Sequence, residues 1–277
     1  MFRYIYIEIT NACNFSCPFC PTSSLKQNDY MNINQFKIII DKIKKYTKSV
    51  YFHVKGEPLL HKDLNEFLNI CAESNINVCI TTNGVLLNKK SEILISNNNI
   101  KKINVSLQSL VNLDEEEQNQ YLSNLEYFLI KKDVLNKKLG VNLRIWNDKI
   151  KNDNLNKKIE KILNKIKINN LSNVRISYAD EFDWPSMDNE PIYKEGKCLG
   201  GITHLGILSN GDVILCCLDH LGHTKLGNIF ENDLEEIISS QKFQNIKQGW
   251  NNNFAVEELC KRCNYKDRFK KNMEVKS

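Results

Sequence analysis

The 277-residue chain lacks any window of eighteen uninterrupted apolar residues, so no membrane-spanning helix is expected. It also lacks a targeting signal: residues 1–10 alternate, with Phe2, Tyr4 and Tyr6 spaced two apart and Glu8 among them, and no small-residue cleavage site follows. The net charge of +5 is spread over Lys–Asn–Ile stretches, and no Arg-rich or aromatic-interleaved run accompanies it. That distribution reads as a solvated surface and not as a nucleic-acid stripe. No internal repeat of solenoid period is present. The expectation is a cytoplasmic protein with neither nucleic acid nor membrane as partner. In that compartment the ten cysteines are not expected to form disulfides, and the clustered ones are better read as metal ligands.

What is present is ordinary globular composition, 42% hydrophobic and 26% charged, with length for one large domain and a small appendage. Short runs rich in Ile, Val and aromatics predict strands at 3–9, 49–54, 76–82, 101–107, 139–146 and 173–178. Helical patterns fall between them near 33–46, 62–73, 89–97, 115–136 and 153–167. In the first of these Phe36, Ile39, Ile40 and Ile43 recur at helical spacing. Alternating β and α units imply a parallel sheet with helices outside, and six of them suit a partial (β/α)6 barrel of the TIM type, with its chemistry on the loops after the strands. This core spans 1–180. The acidic, irregular stretch 181–197 reads as a linker or active-site loop. A small α+β domain over 198–277 follows, with a hairpin turning at Ser209-Asn210-Gly211-Asp212 and one helix near 233–247 capped by Asn232 or Asp233.

Cys13, Cys17 and Cys20 stand in Cys-x3-Cys-x2-Cys spacing directly after the first strand. Three thiolates on a cubane cluster leave one iron without a protein ligand. An open position is what a catalytic metal centre needs, by analogy with zinc sites. The competing readings are a zinc knuckle missing a ligand, for which the nearest downstream His or Cys is His53, and three unconnected buried thiols.

This spacing, the apolar Phe19 before the last cysteine and the position after strand one resemble the radical S-adenosylmethionine (SAM) superfamily, over about residues 1–180. The resemblance implies a catalytic [4Fe-4S] cluster on Cys13, Cys17 and Cys20 whose open iron chelates SAM. One electron, from a flavodoxin- or ferredoxin-type donor, then breaks the sulfonium C–S bond, and the resulting 5′-deoxyadenosyl radical takes a hydrogen atom from substrate. Further strand ends resemble the family's SAM contacts. Lys55-Gly56-Glu57-Pro58 is similar to the Gly-Gly-Glu-Pro turn that receives the methionine ammonium, with Lys55 replacing the first glycine. Thr81-Thr82-Asn83-Gly84 is similar to the Thr-Asn-Gly turn. Ser106 and Gln108 occupy the place of ribose-binding polar groups, and Phe19 is expected against the adenine. Arg144, in an otherwise apolar strand, needs an anionic partner: the SAM carboxylate, a substrate group or a structural salt bridge.

Cys198, Cys216, Cys260 and Cys263 form a second set. Together with Gly211-Asp212-Val213, Leu226-Gly227-Asn228-Ile229 and Cys260-Lys261-Arg262-Cys263, they resemble the SPASM/twitch extension of radical SAM enzymes. No cysteine follows Cys263, which implies the shorter twitch form with one auxiliary [4Fe-4S] cluster on four cysteines. Within the family this layout is most similar to the aminoglycoside dehydrogenase type of the butirosin pathway. A zinc ribbon on the same four thiols stays open. Cys217 is the spare: an alternate ligand, a hydrogen-atom donor or an inert thiol. If the strand continues through it, it points away from Cys216. Cys71 and Cys79 read as small buried hydrophobes; His204, His220 and His223 flank the hairpin and read either as surface histidines or as groups facing substrate.

Two reactions fit a closed auxiliary cluster. One is oxidation of a small-molecule or sugar-like substrate. The other is redox-neutral epimerisation, or peptide maturation, with a Cys hydrogen donor. No extension precedes the first strand, so a fused leader-peptide-binding domain is not expected. A non-catalytic zinc-binding interaction protein is the reading from another class.

Overall fold

The computed structural model describes residues 1–21, 28–147, 153–168, 170–180, 183–191 and 195–269. Parts of the linker (181–182 and 192–194) and the Lys-rich tail (270–277) lie outside the described residues.

All six expected strands form: β1 (Tyr4–Ile7), β2 (Ser49–Phe52), β3 (Asn77–Thr82), β4 (Ile100–Ser106), β5 (Gly140–Asn147) and β6 (Val174–Asp180). Each pairs in parallel with the next. The helices α1 (Ile33–Ile43), α2 (Leu64–Glu73), α3 (Ser91–Ser96), α4 (Glu115–Leu135) and α5 (Asp153–Ile168) link them. Parallel strands need such crossovers, and the result is a partial (β/α)6 barrel.

Local chemistry explains where the helices begin. At α1 the Asn32 side chain accepts from the Gln35 N–H at 2.9 Å while the Gln35 side chain accepts from the Asn32 N–H at 2.9 Å. This reciprocal cap satisfies two otherwise orphaned donors. Asp114 and Glu117 repeat it at α4, whose first turn carries Glu115, Glu116 and Glu117 against the positive end of the helix dipole.

The strands alternate, and the alternation makes two compartments. Ile5, Ile7, Val50 and Phe52 are fully buried against the helices. There the Phe36 ring of α1 stacks on Phe67 of α2 at 4.3 Å and meets Phe52 edge-on at 5.6 Å. The intervening Tyr4, Tyr6 and Tyr51 face inward onto a cavity.

The C-terminal third joins the same sheet. β7 (His204–Ile207) pairs in parallel with β1, in register Tyr4 to His204 and Ile7 to Ile207. β8 (Asp212–Ile214) and β9 (Gly227–Asn228) then add antiparallel, giving nine strands in the order β6-β5-β4-β3-β2-β1-β7-β8-β9. The hairpin turn forms as expected, with Gly211 at φ +86°. The single helix expected near 233–247 is instead two, α6 (Leu234–Ser239) and α7 (Gln241–Asn251). Ser240 breaks it: its backbone is extended (φ −60°, ψ 147°), and its hydroxyl caps the Phe243 N–H. A short α8 (Glu258–Lys261) carries Cys260. Among the described residues no helix is long and apolar enough to cross a membrane.

Phe36→Ala removes the ring shared by α1, α2 and β2. A loss of about 3–5 kcal/mol is expected, read as a lowered midpoint in denaturant titration followed by far-UV circular dichroism.

Candidate active site

A cavity of about 410 Å³ runs from the barrel interior past the strand ends, and both cysteine sets line it. Cys13, Cys17 and Cys20 come from the loop after β1. Cys198 follows the linker, Cys216 follows β8, and Cys260 and Cys263 come from α8 and its end.

The loop after β1 is fastened to the turn after β2. The Glu57 N–H donates to the Ala12 carbonyl at 2.7 Å. Gly56, at φ +73°, lies so close that a Cβ there would collide with the Thr10 carbonyl and come within 2.9 Å of the Ala12 oxygen. Only glycine fits both the dihedral and the space. Glu57 is 1% exposed. Its carboxylate accepts from the Leu59 N–H at 3.0 Å, the Thr82 hydroxyl at 2.8 Å and the Asn83 N–H at 2.7 Å. It has no ion pair among the described residues. Burial pushes it up to about 7, against the pull of those three donors. Pro58 starts the following turn of 3₁₀ helix.

Asn83 closes the arrangement. Its side-chain amide donates to Asn14 at 2.8 Å and reaches the Cys13 sulfur at 4.0 Å, and its carbonyl accepts from Ser109 and Tyr121. Asn112 donates to the Cys17 sulfur at 3.0 Å. No sequence signal marks Asn112, since it lies beyond the strand end that drew attention to Ser106 and Gln108. Both of those line the cavity. Gln108 is buried there with its Oε1 unpartnered. Phe19 and Arg144 also line it. Arg144 makes no ion pair among the described residues, so the structural salt bridge foreseen as one alternative is not formed there.

The inner wall was the largest feature missed. Tyr4, Tyr6, Tyr51, His53 and His204 make a contiguous aromatic floor: Tyr4 lies 4.7 Å from Tyr51 and stacks on His204 at 5.3 Å, and Tyr6 meets His53 at 6.1 Å. His204 is therefore a cavity residue and not a surface one, because β7 seats it opposite Tyr4. Burial drops His53 and His204 to about 4, so both are neutral. His220 is half-buried against Trp184, and His223 is exposed.

In the second set, burial pushes the thiols of Cys198, Cys216 and Cys260 up and that of Cys263 to about 11. The sulfurs of this set feel one another's charge, yet among the described residues no three His, Cys, Asp or Glu side chains are spaced for a single metal ion. Cys217 packs with Tyr6 against Val54, Leu208 and Ile214, whereas Cys216 senses Cys198 and Cys260. The strand ends at Ile214 and the chain turns, so both thiols line the cavity. Tyr6 and Cys217 pack against the same small apolar cluster, and burial lifts the Cys217 thiol to about 11.

The same architecture occurs in solved structures. BtrN in complex with AdoMet and 2-DOIA superposes with a TM-score of 0.63 at 20% identity, over 95% of this chain and 93% of that one. anSMEcpe with bound AdoMet and Cp18Cys peptide gives 0.64 at 15%, over 95% and 86%. SuiB of Streptococcus suis bound to S-adenosylmethionine gives 0.60 at 20%, over 90% and 68%. The fold is that of radical SAM enzymes. Residues 7–126 match the Radical SAM superfamily model and residues 198–264 match SPASM, an iron–sulfur cluster-binding domain; the chain carries both domains. Such domains bind iron–sulfur clusters and SAM. Among curated proteins, GTP 3′,8-cyclase of Aliarcobacter butzleri is 32% identical over 114 residues, 39% of this chain and 35% of the cyclase. The probable GTP 3′,8-cyclase of Methanocaldococcus jannaschii is 35% identical over 111 residues, 39% of this chain and 37% of that protein. The shared stretch thus spans little more than a third of the cyclases' length.

Glu57 yields a pH prediction for the cluster-free, SAM-free protein. Its carboxyl lies above its unfolded value of 4.5, at about 7 when folded. Its contribution to stability is complete below 4.5 and is lost as pH rises through 7, by about 3 kcal/mol in total. Glu57→Gln should flatten that part of the stability–pH curve, measured by denaturant titrations from pH 4.5 to 8. An unchanged slope would mean that Glu57 is already compensated.

Proposed function

We propose that this chain is a SAM-dependent radical enzyme that oxidises a small-molecule or sugar-like substrate. The observation that carries the reading is that both cysteine sets line one cavity, so a single bound molecule would lie near both. The residues fit the groups this requires. Cys13, Cys17 and Cys20 would hold one [4Fe-4S] cluster and leave an iron open; Cys198, Cys216, Cys260 and Cys263 would close a second. The buried Glu57 carboxylate, without a cation among the described residues, suits the SAM ammonium, and Arg144, without an ion pair among them, suits its carboxylate or an anionic substrate group.

When bound, these groups supply reductive cleavage of SAM to a 5′-deoxyadenosyl radical, hydrogen abstraction, and an electron sink that makes net alcohol-to-ketone oxidation feasible. The chain's own part is binding and exclusion. Asn83 and Asn112 hold thiols of the first set in place, Gly56 allows close approach, and Thr82 fixes the Glu57 carboxylate. Phe19 is suited to cover the adenine, and Ser106 and Gln108 to meet the ribose. The Tyr and His floor gives the cavity an aromatic inner wall. An electron-transfer protein of the flavodoxin or ferredoxin class is the expected donor.

A second reading, epimerisation, is favoured by one observation: the Cys217 thiol lines the cavity, held protonated beside Tyr6, and so retains a hydrogen atom to give. Peptide substrates belong to this reading also.

Replacing Cys13, Cys17 and Cys20 together by Ala should abolish 5′-deoxyadenosine formation and leave about half the iron, about four atoms per chain. Unchanged iron, or surviving SAM cleavage, would overturn the assignment. Cys217→Ala should retain product formation. Loss of product with continued 5′-deoxyadenosine release, and deuterium from solvent in the wild-type product, would decide for epimerisation.

A further inference from the structure

The turn after β2 carries a lysine where the related turn has glycine. Lys55 is 5% exposed and its Nζ has no hydrogen-bond partner. Lys55 is not among the residues that line the cavity. The nearby carboxylate of Glu8, also buried, is already occupied. Its Oε1 accepts from the Ser209 hydroxyl at 3.2 Å and the Ser209 N–H at 3.5 Å, and its Oε2 accepts from the backbone N–H of Lys55 at 3.3 Å. No ion pair joins that carboxylate to the Lys55 ammonium within salt-bridge distance, although each senses the other's charge. Burial pulls the Lys55 amine below its ordinary value, and the charges of Glu8 and Cys20 oppose that pull and favour the ammonium. The turn that carries it is held against the cysteine loop: the Glu57 N–H, two residues on, donates to the Ala12 carbonyl beside Cys13, and Gly56 packs closely on Thr10.

A buried cation without a hydrogen-bonded partner is costly unless negative charge lies nearby. A cubane on three thiolates supplies such charge, and each added electron increases it. Net charge around a cluster is one of the levers that set its reduction potential.

We infer that Lys55 is a fixed positive charge beside the cysteine loop that raises the reduction potential of the cluster held by Cys13, Cys17 and Cys20. The inference rests on the reading of those three residues as cluster ligands. The step is a one-electron reduction: the electron comes from the reduced donor, and no bond forms or breaks in the protein. The ammonium stabilises the reduced cluster more than the oxidised one because the reduced cluster is more negative.

The test is a dithionite potentiometric titration of the reconstituted full-length protein, following the electron paramagnetic resonance signal that changes on SAM addition. Lys55→Met keeps the length of the side chain and removes the charge; Lys55→Gly restores the residue of the related turn; Lys55→Arg keeps the charge. Both neutral variants should show about a tenfold lower ratio of reduced to oxidised cluster at the wild-type midpoint, a shift of about 59 mV to more negative potential. Lys55→Arg should stay near wild type. An unchanged midpoint in the neutral variants, with iron content equal to wild type, would overturn the role of Lys55. If Lys55→Met fails to load iron, Lys55→Gly decides. A wild-type protein without any SAM-responsive signal would instead defeat the reading of the three cysteines, and the inference with it.

Discussion

One buried carboxylate organises the mouth of this barrel. Glu57 leaves water to accept three hydrogen bonds, and those bonds tie the end of β2 to the end of β3. The peptide that carries it is also bonded to Ala12, beside the first cysteine. Three strand ends are therefore held in one place by a group whose own desolvation is unfavourable. Structure of this kind is kept when a ligand returns the lost energy, and a cationic ligand in the cavity would do so.

The thiols follow the same logic. Burial raises Cys13 and Cys17 on one side and four more of the second set on the other, so without metal they remain protonated. Loading iron must release those protons, and assembly should be easier in alkaline solution than in acid. Asn112 at Cys17 illustrates how a neutral amide can favour the thiolate without adding charge.

Much of this was legible in the sequence because the relevant signals are local. Helix periodicity, the cap at Asp233 and the cysteine spacings depend on neighbours within a few residues, and the six β/α units appear where such periodicity falls. The failures were tertiary. Tyr4, Tyr6 and Tyr51 alternate with Ile, Val and Phe, so both faces read as hydrophobic and the period of two did not reveal which face was inward. His204 looked superficial because its place depends on β7 joining β1, a contact between residues some two hundred positions apart. Ser240 is ambiguous in sequence, acceptable both inside a helix and as the cap of the next. Asn112 has no local signature at all.

The pairing of β7 with β1 has a consequence for how the chain can be divided. β1 is an inner strand only because the C-terminal third supplies its neighbour. A fragment ending before residue 204 would turn β1 into an edge, baring the unpaired amides and carbonyls along one side of Tyr4–Ile7. Such an edge is a template for another chain. The barrel and the cysteine-bearing appendage, though separate in cysteine layout and in domain match, are thus one unit for solubility. Any dissection of the two halves meets self-association before it reaches chemistry.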